Sequence, residues 1–96
     1  MEKGEYDLAV PDLTKSIALN QDGARPYRYR AQSYLALHNY KAAESDFTSA
    51  LDLDPDDADL LYGRSQAESA LGESAASDRD RSRAQSLDPK VEKSDR

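Results

Sequence analysis

Residues 24–57 read ARPYRYRAQSYLALHNYKAAESDFTSALDLDPDD, and residues 58–91 read ADLLYGRSQAESALGESAASDRDRSRAQSLDPKV. Set one above the other without a gap, these two runs of 34 residues agree at eleven positions. The shared residues include Arg30/Arg64, Gln32/Gln66, Leu37/Leu71, Asp46/Asp80, Ala50/Ala84 and Pro55/Pro89. The same shift lays the N-terminal segment on the first run through Tyr6/Tyr40, Ala9/Ala43, Asp12/Asp46, Thr14/Thr48 and Leu19/Leu53. Matches at helical spacings and at turn residues mark a chain built from one repeated supersecondary unit.

Each unit reads as two helices. In 24–57, Tyr27, Ala31, Tyr34 and Leu37 recur at three- and four-residue steps, and Pro26 suits a first helical turn. His38-Asn39 interrupts this stripe, as Gly4-Glu5 and Gly72-Glu73 do in the other copies. A helix ending in a left-handed residue wants glycine there, and His and Asn are among the few substitutes, so His38 or Asn39 is expected to show positive φ. Tyr40, Ala43, Phe47, Ala50 and Leu51 form the second stripe, which Asp54-Pro55 ends. Asp57 then stands where it can cap the next helix. The pattern predicts helices near 6–19, 25–37, 40–53, 58–71 and 74–87. Arg30/Asp46 and Arg64/Asp80 lie one on each helix of a hairpin, so an ion pair is expected in both units.

Composition agrees. Of 96 residues 38% are hydrophobic, and alanine supplies 14 of these. Val, Ile and Thr total only five, too few for a sheet-rich protein. The absence of cysteine excludes disulfide scaffolds, thiolate metal sites and thiol nucleophiles, and a single histidine excludes multi-histidine metal sites. No apolar run approaches the length of a membrane span, and the net charge of −6 argues against general nucleic-acid binding. The expectation is an acidic, all-α, cytoplasmic domain with neither nucleic-acid nor membrane partners.

With these residues in view, the chain resembles the tetratricopeptide repeat family, whose period is 34 residues and whose pattern includes an aromatic, a Leu-Gly pair, a Tyr, Ala-x3-Phe and a closing Pro. Residues 24–57 fill those slots with Tyr27, Arg30-Ala31, Tyr34, Ala43, Phe47, Ala50 and Pro55. In 58–91 the slots hold Leu61, Arg64-Ser65, Glu68, Ser77, Arg81, Ala84 and Pro89. The resemblance implies a right-handed α-solenoid of antiparallel helix pairs, about five helices in all, forming one domain over 1–89. That domain comprises a half repeat at 4–23 and full repeats at 24–57 and 58–91, with a polar tail at 90–96. Glu68, Ser74 and Arg81 replace Tyr34, Tyr40 and Phe47, so the last unit reads as a C-terminal cap that faces water. Helix 6–19 has no first-helix partner, which leaves Leu8, Leu13 or Ile17 uncovered and Pro11 inside the helix as a kink.

The resemblance also implies a protein-interaction module. Its concave surface is expected to bind a peptide, acidic in character, through Arg25, Arg28, Tyr29, Gln32, Tyr62, Gln66 and Ser69, with Ala36, Asp59 and Gly63 facing the same groove. Arginine beside tyrosine suits a ligand with carboxylates and an apolar side chain. The family's carboxylate clamp is not expected, because Gly63 occupies the slot of one clamp asparagine. The alternative reading is self-association through the unpaired N-terminal helix, with no peptide ligand. Asp52-x-Asp54-x-Asp56 imitates a calcium loop, but Asp57 and Gly63 stand where that loop needs Gly and Glu. Arg79, Arg81 and Arg83 are interleaved with aspartates and read as a solvated face. With no nucleophile placed beside a base, neither an enzyme nor a cofactor is expected.

Overall fold

The computed structural model describes residues 3–20 and 23–91. It contains α1 (Lys3–Leu19), α2 (Ala24–Ala36), α3 (Tyr40–Leu53), α4 (Ala58–Ala70) and α5 (Ser74–Leu87), with no strand among the described residues. This is the all-α helical repeat expected from the period. Each helix packs on the next, and α2 also touches α4, whereas α1 and α3 do not meet, nor do α3 and α5. The first helices of the two full units therefore converge while the second helices splay. That inequality makes the α2/α4 side concave.

Alanine sets the spacing. Ala31, Ala43, Ala50, Ala67 and Ala84 are fully buried, letting helices approach closely around Phe47, Leu60 and Leu61. The last unit replaces two of these small residues by serine without leaving an orphaned hydroxyl. Ser65 stands in the slot of Ala31 and donates to the Tyr62 carbonyl at 2.6 Å. Ser77 stands in the slot of Ala43 and donates to the Ser65 carbonyl at 2.8 Å.

The turns follow the expected chemistry. His38 has φ 63° and Gly72 has φ 82°. In both turns the next backbone N–H reaches back five residues, Asn39 to the Tyr34 carbonyl and Glu73 to the Glu68 carbonyl, each at 2.8 Å. Asp57 caps α4 by accepting from the Leu60 N–H at 3.2 Å. His38 pays for its left-handed backbone only in part through a hydrogen bond of 2.9 Å between Nδ1 and the exposed Tyr40 hydroxyl. His38→Gly should therefore raise stability by a few tenths to about 1 kcal/mol, read as a higher denaturation midpoint.

Three expectations need correction. Gly4 does not form a turn; it lies inside α1, with no described helix before it on which a turn could close. Pro11 lies inside α1, where the sequence places it, and is exposed, so the carbonyl it leaves unbonded can face water. Ile17 is not left uncovered: it is 8% exposed, matching its counterpart Leu51 at 7%, because this face of α1 points toward the next unit. Leu8, by contrast, is 73% exposed. The polar tail also begins differently. The Asp88-Pro89-Lys90 turn, held by the Val91 N–H donating to the Asp88 carbonyl at 3.0 Å, returns Val91 to the core, where it is 2% exposed. Residues 92–96 lie outside the described residues.

Candidate functional site

The repeated arginine organises the hairpins from which the site is built. Arg30 donates through Nε and Nη2 to Asp46 Oδ2 and Oδ1 at 2.6 and 2.8 Å. Arg64 does the same to Asp80 at 2.7 and 2.9 Å. Both are two-point pairs, as the shared spacing of sixteen residues predicted. The third arm of each guanidinium crosses to the preceding unit, where Arg30 Nη1 donates to Thr14 Oγ1 at 3.0 Å and Arg64 Nη1 to Thr48 Oγ1 at 3.3 Å. Each threonine donates in turn to the carbonyl four residues earlier. A Thr–Arg–Asp relay thus fastens each unit to the one before it. Its hydrogen bond to the Asp46 carboxylate holds Arg30 above its ordinary pKa, against the opposing effect of burial.

The two copies differ at one residue. Tyr34 lies over the Arg30 guanidinium at 5.9 Å, and Glu68 takes its place in the second copy. Glu68 is 6% exposed, and its Oε1 has no hydrogen-bond partner. Burial first, then the hydrogen bond and charge of Asp80, push its carboxyl up to about 8. Glu44 is also raised, by a hydrogen bond with Glu73 and then by burial. Carboxylate oxygens of Glu44, Glu68 and Glu73 come within 4.8 Å of one another. These are the described carboxylates placed closely enough to hold a cation. The neighbouring Arg64 partly offsets the repulsion at Glu44 and Glu68.

The concave side carries a depression of about 540 Å³ between α2 and α4. Phe47 and Gly63 form its floor, Leu35 and Val91 add apolar wall, and Arg28, Gln32, Asp59, Tyr62 and Gln66 form the rim. Gly63 is required there: a Cβ at this position would overlap the Phe47 ring, with Cε1 at 2.5 Å. Arg28 is held by two aspartates at the N-terminal end of α4, its cap Asp57 and Asp59 in its first turn. It donates to Asp57 at 3.4 Å and to Asp59 at 3.1 Å, and Asp59 is itself 61% exposed.

Of the seven groove residues expected from the sequence, Arg28, Gln32, Tyr62 and Gln66 come together here. Tyr29 lies instead on a second depression of about 350 Å³ between α1 and α2, which Gln32 also borders. Arg25 and Ser69 are exposed but line neither depression. Sequence reasoning missed Leu35, Phe47 and Val91 in the wall and floor, and Asp57 as the partner of Arg28. Val91 had one available signal, as the only apolar residue after Leu87.

Comparison with known families finds that a model described as Tetratricopeptide repeat matches residues 24–57. A search of curated proteins returns no match. Among the described residues, no helix is long and apolar enough to cross a membrane.

Proposed function

The chain contains a tetratricopeptide repeat, a unit that serves protein–protein interaction, and from that premise we propose that the α2/α4 depression binds an acidic peptide segment of a partner protein. The observation that carries the reading is the arrangement around Arg28. Its guanidinium stands on the rim beside the Tyr62 ring, above an apolar floor, and one of its two carboxylate partners is exposed. Exposed ion pairs contribute little, so a ligand carboxylate can exchange with Asp59 at small cost. Tyr62 then offers flat apolar contact, and Gln32 and Gln66 offer adaptable hydrogen bonds. A depression of this size seats only a few residues, so affinity belongs in the micromolar range or weaker.

Fluorescence anisotropy with a panel of extended peptides of graded charge tests this. Acidic peptides should bind, and binding should weaken as salt is raised. Arg28→Glu should abolish binding with helical circular dichroism unchanged. Asp59→Asn should tighten it several-fold by freeing the guanidinium. Hits that ignore charge, or indifference to both substitutions, would overturn the assignment.

A further inference from the structure

Three slots change chemistry together between one junction of the array and the next. Around the first full unit they hold Val10 of α1, Tyr34 of α2 and Asn39 before α3. Thirty-four residues later stand Glu44, Glu68 and Glu73. Glu44 belongs to α3, Glu68 to α4, and Glu73 is the N-cap of α5, so three elements and both full units converge on one point. One carboxylate oxygen of each glutamate lies within 4.8 Å of the others.

The burial of Glu68 sets this group apart from an acidic surface patch. Glu44 and Glu73 are half-buried, whereas Glu68 is buried and its Oε1 has no hydrogen-bond partner. Native structures ordinarily give such an oxygen a partner, because desolvation without one is unfavourable. The protein's own cations do not supply it. Arg64 commits two arms to Asp80 and the third to Thr48, and stays 3.9 Å from the other oxygen of Glu68. Lys41 is exposed and 3.8 Å from Glu44. Glu68 is raised chiefly by burial and Glu44 by its hydrogen bond with Glu73, in keeping with carboxyls short of a countercharge. A depression of about 510 Å³ opens beside Glu44 and Glu68, bordered by Ser45, Thr48 and Ser49, with room for the water shell of an ion.

We propose that Glu44, Glu68 and Glu73 form a site for a divalent cation, Ca²⁺ in the first place, which ties α3, α4 and the start of α5 together across the two full units. A donor set of carboxylates alone suits hard cations such as Ca²⁺, Mg²⁺ and Mn²⁺. Opposite oxygens stand about 4.6–5.2 Å apart around Ca²⁺ and about 4.0–4.2 Å apart around Mg²⁺. A set spread over as much as 4.8 Å therefore fits calcium without rearrangement. With three protein ligands and Arg64 close by, affinity belongs at the weak end of calcium sites, about 10⁻⁴–10⁻³ M. The site shares no residue with the α2/α4 depression, so either proposal can fail alone.

Isothermal titration of the chelator-treated full chain with CaCl2 at pH 8 tests this, together with thermal unfolding followed by circular dichroism. One saturable site is expected. Saturating CaCl2 should raise the unfolding midpoint by several degrees, MgCl2 by less, and NaCl of matched ionic strength by little. Glu68→Gln and Glu73→Gln should each weaken calcium binding at least tenfold while helical circular dichroism is kept. For Glu68→Gln the metal-free midpoint should not fall, which separates loss of a ligand from loss of the fold. Asp54→Asn, in the acidic turn after α3, should bind calcium as the wild type does. Absence of saturable binding, a rise in midpoint that NaCl reproduces, or calcium binding indifferent to both glutamate substitutions would overturn the proposal.

Discussion

Phe47→Ala should remove about 3–5 kcal/mol of folding stability, the usual range for deleting a buried aromatic side chain. Small domains have only about 5–15 kcal/mol in total, so this variant should be largely unfolded near body temperature. The reason is positional. Phe47 is 1% exposed, belongs to α3, and meets α4 at Gly63, so its ring is the contact on which the two full units stack. On the α4 side the ring meets Gly63, which has no side chain that could extend to refill the space. The converse substitution tests the same contact from the other side. Gly63→Val forces a side chain into the ring and should cost about 1–3 kcal/mol, although glycine inside a helix is itself unfavourable. Thermal unfolding followed by circular dichroism measures both. A loss below about 1 kcal/mol for Phe47→Ala would show that the units do not stack through this ring.

The second large effect concerns pH. Glu68 has its carboxyl raised, so in the folded state it holds a proton that the unfolded chain releases near the ordinary value of 4.5. A raised acid contributes stability that is complete below 4.5 and lost as pH climbs toward about 8. Glu44, also raised, adds to the loss in the same direction. Asp80 acts in the opposite sense. Burial alone would raise it, but hydrogen bonds from Arg64 and Glu68 bring it below its ordinary 3.8, so its contribution is present above that value and lost in more acid solution. Stability should therefore be greatest near pH 4–5 and decline toward pH 8. Glu68→Gln keeps a donor toward Asp80 without a titrating group. At pH 8 it should be more stable than the wild type by on the order of 1–3 kcal/mol, the cost of an unsatisfied buried polar group, and near-equal at pH 4.5. Urea denaturation at the two pH values checks this, and a difference independent of pH would sink it. The Tyr34 copy predicts the same variant pattern in reverse: Tyr34→Glu should import the pH dependence into the first full unit.

What could be read from the sequence and what could not divide along a physical line. The period of 34 residues, the five helices, the left-handed His38 and the two Arg–Asp pairs were all legible. They depend on contacts inside one hairpin, where a tight turn fixes which residue faces which and sixteen residues always span the same pair of positions. The polar partners of Arg28, the burial of Val91 and the placement of Tyr29 were not legible. Each joins side chains of different units or of a unit and its neighbour's turn, and such contacts depend on the angle at which helices cross. Volumes set that angle, as at the Phe47–Gly63 contact, and single identities do not disclose how large and small residues will interlock. Thus the sequence alone determined the repeated unit and its internal bonds. Only the tertiary structure decided where α2 and α4 converge, because that follows from the sum of close-packed contacts between units rather than from any local pattern.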